Sequence, residues 1–335
     1  MEQIQGSYLY LPEGELDRRA ETAYEIYREC RVCPRGCGVD RTGGGRGFCG
    51  LGDGLKVSSF VRHYGEEPPL VGQTGVGNIF VTSCNLACSY CQNYQISQED
   101  RGADRPFAVV AEEMLQLQAG GVNFLGWVSP SHIVPGLLKS LALARKKGFR
   151  LPIVYNTNAY DSVETLKLLD GVVDVYLPDL KYSDNRIARD LSRAADYVER
   201  SREAVLEMFR QVGPLRVRGD GLAERGLMVR HLVLPEGAAG TWETLCFIAL
   251  ELSPRVPVSL MSQYRPVHRA LGIPGLARRI TASEYQAALA MAGELGFETL
   301  FTQDPEDEVH NLPDFRNPNQ PFPLDRVRNH ESFVC

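Results

Sequence analysis

The sequence predicts an α/β protein with helices packed outside parallel strands and a small cysteine-rich metal-binding module at the N-terminal end. Three observations lead there. From about Gly77 onward, short apolar, β-branched runs alternate with longer helical patterns, as in successive βαβ units. Residues 30–65 are instead glycine-rich, with GCGVDRTGGGRGFCGLGDG suggesting turns rather than a hydrophobic core. Seven of the nine cysteines fall into two clusters, Cys30/Cys33/Cys37/Cys49 and Cys84/Cys88/Cys91, and such clustering points to metal.

Taken in order, residues 1–29 are polar, with a helical stretch around Glu15–Arg28. The module that follows has too little apolar content to fold unaided and so needs its metal. Its spacing, Cys30-x2-Cys33-x3-Cys37-x11-Cys49, offers four thiolates. That closed set suits a structural zinc or an iron–sulfur cluster, and both readings stand. Arg31, Arg35, Arg41 and Arg46 read as solvated charge ahead of a binding face for an acidic partner, and His63, Glu66 and Glu67 in HYGEEPP as a linker contact between module and barrel ahead of an acid–base or metal group. Strands are expected in GNIFVTS, VNFLGWVS, LPIVYNT, VVDVYLPDL, LMVRHLVLP and VPVSLMS, with a seventh in FETLFTQD. Helices are expected in VVAEEMLQLQAG, VPGLLKSLALARKKG, SVETLKLL, the charged stretch Asn185–Val212, TWETLCFIALEL and TASEYQAALAMAGELG. Six strands and a seventh are too few for an eight-fold barrel, which leaves an open, partial (β/α)6 barrel or a flat doubly wound sheet. The boundaries fall at 1–65 for the helix and module, 66–304 for the strand–helix series, and 305–335 for an irregular, proline-rich extension. Cys246 reads as a buried, inert thiol in a helix, and Cys335 stands alone at the end.

A net charge of -6 gives no footprint for non-specific nucleic-acid binding. No apolar stretch spans a bilayer and the N-terminus lacks a signal-peptide pattern, so a cytoplasmic address with reduced thiols is expected. Ligands of parallel α/β folds gather at the carboxyl ends of the strands. Those ends carry Ser83-Cys84, Ser129-Pro130-Ser131-His132, Asn156-Thr157-Asn158, Asp179-Leu180-Lys181, Arg230-His231 and Gln263-Tyr264, a set that converges on one mouth. Three thiolates on one loop can hold three corners of a cubane cluster and leave one iron open, whereas a structural zinc recruits four protein ligands.

Cys84-Asn-Leu-Ala-Cys88-Ser-Tyr-Cys91 resembles the CxxxCxΦC signature of the radical S-adenosylmethionine superfamily, with Tyr90 in the aromatic slot after the first strand of the series. The resemblance covers roughly Gly72–Asp304. It implies a partial (β/α)6 barrel of the radical SAM type, a [4Fe–4S] cluster on Cys84, Cys88 and Cys91, and S-adenosylmethionine bound to its open iron. Within the superfamily the chain is most similar to pyruvate formate-lyase activating enzyme, and its N-terminal cysteine pattern looks like that of activase-like proteins. That similarity implies that Asp179 and Lys181 of VDVYLPDLK meet the methionyl end of the cofactor and that Arg230 of VRHLVLP neutralises its charge. YNTNAY resembles the relative's Asp-Thr-Asn-Gly segment, with Asn156 in place of the acid, Asn158 retained and Ala159 in place of the glycine. Ser129, Ser131 and His132 stand where a Gly-Gly-Glu element would meet the cofactor's amino group. The implied partners are an electron donor such as flavodoxin or ferredoxin and a glycyl-radical enzyme whose backbone glycine loses a hydrogen. Radical modification of a small molecule, a peptide or an RNA, and a non-catalytic electron-transfer or assembly role, are the alternatives.

Overall fold

In the computed structural model, which describes residues 4–304 and 312–322, the buried runs form two sheets joined at a corner. In chain order the strands are β1 (Leu55–His63), β2 (Val76–Val81), β3 (Ala103–Arg105), β4 (Leu125–Val128), β5 (Ile153–Thr157), β6 (Val175–Pro178), β7 (Arg216–Val217), β8 (Ala223–Leu227), β9 (Val229–Leu232), β10 (Val258–Met261) and β11 (Leu300–Thr302). β2, β4, β5, β6 and β8 are parallel neighbours in the larger sheet. β9, β10 and β11 form the second, also parallel, sheet. The joint lies just beyond β6, where Asp179 makes a parallel bridge to Arg230 of β9 and Leu180 N donates to Arg230 O at 2.9 Å. The partial barrel thus runs β2, β4, β5, β6, β9, β10, β11, each strand falling on the run that the sequence assigns to it, with β2 starting one residue earlier at Val76.

Every side chain of β2, β4, β5, β6 and β10 is buried, as expected when helices cover both faces of a parallel sheet. Trp127, Tyr155 and Tyr176 from the strands pack with Leu137 and Leu141 of the helix Val134–Lys146 in the main core. Each such side chain contributes roughly 1.5–3 kcal/mol on burial. The N-terminal helix Glu15–Glu25 packs on that same helix and runs through a 3-10 turn, Ile26–Glu29, into Cys30.

Three features differ from the sequence reading. β1 lies inside the segment read as turns and pairs antiparallel with β2, while β3 pairs with β1. Its alternation of buried Leu55, Val57, Ser59, Val61 and His63 is a period-2 signal, masked by the glycines just upstream. The charged stretch Asn185–Val212 divides into helices Asn185–Ser192 and Tyr197–Val212, because Arg193 turns into the left-handed region at φ 56°. Cys246 is half-buried rather than buried, within the helix Thr241–Phe247.

Two details shape the mouth of the barrel. Ser83, Ser129 and Ala159, just beyond β2, β4 and β5, have φ of 70°, 55° and 63°. Left-handed backbone at a non-glycine residue costs on the order of 1–3 kcal/mol, so three sharp turns at the carboxyl ends are held by the surrounding packing. Across one side lies residues 312–322, where Phe315 N donates to Gln95 Oε1 at 2.6 Å and Phe315 and Phe322 pack on Phe80. Cys335 lies outside the described residues.

Candidate active site

A cavity opens at the carboxyl ends of the strands, and Cys84, Cys88 and Cys91 all line it. The loop that carries them is pinned by backbone bonds. Ser89 N donates to Leu191 O at 2.7 Å, Ala87 N to Ser192 O at 3.2 Å and Ala270 N to Ser89 O at 3.0 Å. Each sulfur meets a polar group. Leu86 N and Asn158 Nδ2 each lie 3.3 Å from Cys84 Sγ, Ser192 Oγ lies 3.0 Å from Cys88 Sγ and Ser97 Oγ 3.2 Å from Cys91 Sγ. Burial, with the neighbouring Cys88 adding to it, pushes the Cys84 thiol up to about 12 and the Cys91 thiol to about 11. Lys181 pulls both the other way. The thiolate state therefore belongs with a bound metal, whose charge takes the proton's place.

Beside the thiols lies a charged network built around Arg230. Its Nε donates to Asp179 Oδ1 at 2.7 Å, its Nη1 to Glu66 Oε2 at 3.0 Å and its Nη2 to Asn156 Oδ1 at 2.7 Å. Lys181 Nζ donates to Asp179 Oδ2 at 2.8 Å. Two carboxylates thus face two cations. Burial alone would raise Asp179, but Arg230 and Lys181 outweigh it and hold the carboxyl below its usual range. Burial, with Glu66 beside it, pushes Glu67 up. Glu66 itself is fixed by Asn78 Nδ2 of β2 at 2.9 Å. Gly126 of β4 stands opposite Asn78 in the parallel register, and a Cβ there would meet Asn78 Oδ1 at 2.0 Å. Only glycine leaves room for the amide that seats this carboxylate.

Tyr90, Ser129, Asn156, Asn158, Asp179, Lys181 and Arg230 are brought together with the triad around this cavity. Ser131 and His132 are not. Ser131 Oγ lies 3.1 Å from Thr157 Oγ1 in the interior. His132 Nε2 lies 3.0 Å from Thr82 O, and burial holds its imidazole down to about 4. The left-handed turn at Ser129 sends the chain inward, so the two residues after Pro130 leave the mouth. Gln263 lines the cavity, whereas Tyr264 is buried with its hydroxyl on Leu276 O. Arg230 is paired with both Asp179 and Glu66.

Sequence reasoning missed Ser192 and Phe322, and it ranked Glu66 as a linker residue ahead of an acid–base or metal role. Glu66 lines the cavity and is only 7% exposed. Its signal was the alternating strand β1 just before it, which carries the linker across the first barrel strand. Ser192 sits at the end of a helix remote from the triad in sequence, and no motif marks it. Arg41 is a further correction. It read as solvated charge but is 1% exposed, between the N-terminal cysteines and the barrel. Cys30, Cys33, Cys37 and Cys49 line a second, smaller cavity together with His132.

The donor set fits a cubane cluster with one open corner, because among the described residues three cysteines and no fourth line the cavity at the strand ends. Residues 78–215 match the family described as the radical SAM superfamily. An uncharacterized protein of Methanocaldococcus jannaschii, MJ0674, is 31% identical over 302 residues, covering 87% of this chain and 82% of that protein. Among solved structures, Streptococcus suis SuiB bound to the precursor peptide SuiA aligns at 13% identity over 67% of this chain and 47% of its own, with a TM-score of 0.45. HydG, a maturase of the [FeFe]-hydrogenase, aligns at 14% identity over 91% of this chain and 59% of its own, with a TM-score of 0.46. No helix among the described residues is long and apolar enough to cross a membrane. The cysteine loop, the strand–helix series around it and these sequence matches lead to one assignment: the chain belongs to the radical SAM superfamily.

Proposed function

We propose that the chain removes a hydrogen atom from a polypeptide substrate, specifically the backbone glycine of a glycyl-radical enzyme. The superfamily implies a [4Fe–4S] cluster and S-adenosylmethionine, which when bound supply one-electron cleavage of the sulfonium to a 5′-deoxyadenosyl radical. Cys84, Cys88 and Cys91 hold the cluster in this reading, with Asn158, Ser192 and Ser97 orienting their sulfurs. Asp179 accepts the cofactor's ammonium or ribose hydroxyls, and Lys181 and Arg230 fix that carboxylate in place. Arg230 uses three of its five N–H groups on Asp179, Glu66 and Asn156, leaving two to reach the cofactor carboxylate. Glu66 supplies the acceptor charge that Ser129 lacks. The strap bearing Phe322 covers part of the mouth and limits access of water.

The single observation that carries the reading is the meeting of the triad with Asp179, Lys181 and Arg230 on one cavity, because the resemblance assigns a cofactor role to each. The glycyl-radical target rests on the likeness of VDVYLPDLK and VRHLVLP to the activating enzyme. Anaerobically reconstituted protein with dithionite and S-adenosylmethionine is expected to release methionine and 5′-deoxyadenosine, and Cys88→Ala is expected to abolish both. Zinc without iron at the triad would overturn the chemistry. For the target, deuterium from glycine-labelled protein should appear in 5′-deoxyadenosine, with a protein-borne radical by electron paramagnetic resonance. Label arriving from a small-molecule fraction instead would overturn that part alone.

A further inference from the structure

The N-terminal cysteines form a site that the radical chemistry above does not use. Cys30, Cys33, Cys37 and Cys49 ring one small cavity, with Cys30 and Cys33 buried and the other two half-buried. The loop is built for close approach of its thiols. Gly38 N donates to Cys30 O at 3.1 Å, Gly36 N to Cys33 O at 3.1 Å, and Phe48 N lies 3.3 Å from Cys37 Sγ. A Cβ at Gly47 would meet that same sulfur at 2.7 Å, so glycine is required where the second half of the loop passes Cys37.

Arg41 shows what charge the cavity expects. Its side chain is buried at 1% exposure, with the guanidinium 3.9 Å above the Tyr27 ring. Nε donates to Gly52 O and Nη1 to His132 O, both at 2.7 Å, and Nη1 lies 3.9 Å from Cys30 Sγ. Nη2 is buried without a hydrogen-bond partner, and among the described residues no carboxylate pairs with Arg41. A buried guanidinium with no anion is strongly unfavourable. Neutral thiols do not relieve it, but four thiolates around a metal centre carry net negative charge and do.

The two thiol groups are contiguous, as an electron relay between two clusters requires and a structural zinc does not: Ser83 Oγ donates to Cys49 O, Cys49 and Cys84 border the same surface depression, and Asn85 of the triad loop lines the four-cysteine cavity. Arg35 reaches across, donating from Nε to Asn85 O at 2.7 Å.

We propose that Cys30, Cys33, Cys37 and Cys49 bind a second [4Fe–4S] cluster that delivers single electrons to the cluster on the triad. The proposal rests on the triad holding a cluster. One electron from a low-potential donor protein of the ferredoxin or flavodoxin class takes the N-terminal cluster from 2+ to 1+. It returns to 2+ as the triad cluster is reduced from 2+ to 1+, and no proton moves.

The full chain, reconstituted anaerobically, is expected to hold about eight iron and eight sulfide, with no zinc. Cys30→Ser/Cys33→Ser should hold about four of each while keeping the triad's electron paramagnetic resonance signal, and Cys84→Ser/Cys88→Ser about four with that signal lost. The ratio of ferredoxin-driven to dithionite-driven cofactor cleavage should fall at least about tenfold in the first variant. Arg41→Met keeps all four thiols, so it remains informative if the double variant unfolds. It should make the N-terminal cluster about tenfold harder to reduce, about 59 mV for one electron, without moving the triad cluster. One zinc and about four iron in the parent, an unchanged iron count in Cys30→Ser/Cys33→Ser, or an unshifted potential in Arg41→Met would each overturn the second cluster. An unchanged donor ratio would overturn the relay. Loss of iron only at the triad in Cys84→Ser/Cys88→Ser leaves the N-terminal assignment standing, so failure of one reading is distinguishable from failure of the other.

Discussion

Arg230→Gln, made alone and together with Glu66→Gln, tests whether the charged network is held by mutual pairing. Arg230 bonds Asp179, Glu66 and Asn156, and its side chain is only 14% exposed. Its removal strands two carboxylates, Asp179 at 19% and Glu66 at 8% side-chain exposure, with Lys181 the one other cation bonded to either among the described residues. Breaking one side of a buried pair costs about 3–5 kcal/mol. Residual solvent access at Asp179 argues for the lower end, about 3 kcal/mol. Glu66→Gln keeps an acceptor for Asn78 and leaves Arg230 paired with Asp179, so it should cost about 1.5 kcal/mol, one charge-assisted bond. In the double variant the orphaned Glu66 charge is gone, and the combined cost should fall below the sum by about 1.5–3 kcal/mol. The wild-type advantage has a defined pH sense. Asp179 is held below its unfolded value, so its contribution is full above about pH 4 and is lost as pH falls through the folded value. Guanidinium unfolding of the metal-free, reduced chain at pH 7.5, followed by circular dichroism with matched m-values, reads all three costs. Additivity within about 0.5 kcal/mol, or an Arg230→Gln cost below about 1 kcal/mol, would refute the network.

Two further perturbations reach residues outside that network. His231 is clamped between Leu180 O and Thr241 Oγ1, and burial holds its imidazole down to about 4. Because that lies below the unfolded value near 6.5, its contribution of about 3 kcal/mol is full above pH 6.5 or so and is lost as pH falls toward 4. Unfolding midpoints measured from pH 7.5 to 4.5 should drop less steeply in His231→Gln, and parallel curves would contradict the burial argument. Ser192→Ala removes the hydroxyl 3.0 Å from Cys88 Sγ. Loss of a bond worth about 1 kcal/mol should lower the triad cluster's midpoint potential by about 40 mV. An unmoved potential in a redox titration would show that Tyr182, whose hydroxyl lies 2.6 Å from Ser192 Oγ, rather than the sulfur takes the hydroxyl proton.

The barrel was legible because a parallel sheet covered on both faces leaves continuous apolar runs, such as Val76–Val81 and Leu125–Val128. The polar residue that ends each run marks its carboxyl end, so Cys84, Ser129, Asn156, Asp179 and Arg230 could be placed at one mouth from position alone. β1 was harder to see. Its period-2 alternation is clear, but it begins one residue after Gly54 in a glycine-rich segment, and composition overrode pattern. The break at Arg193 was invisible for the opposite reason, since an arginine carries no turn signal and its left-handed turn is imposed by packing.

The same contrast explains the site. A motif records what lies near in sequence, and the triad is such a motif; the partners of its sulfurs are not. Asn158 and Ser192 reach Cys84 and Cys88 from 74 and 104 residues away, along strands and helices whose ends coincide only once the barrel curls. Glu66 shows how such an arrangement brings charge to the mouth from outside the strand ends. Ser129, just beyond β4, brings none. A carboxylate arrives from before the first barrel strand, because β1 runs antiparallel on β2 and its end delivers Glu66 beside Asn78. Gly126 then has a meaning that sequence could not assign. It is the absence of a side chain on β4 that admits Asn78, Asn78 that holds Glu66, and Glu66 that helps fix Arg230. A Gly126→Ala substitution therefore acts on the charged network through two intermediates, without itself touching Arg230 or any cysteine.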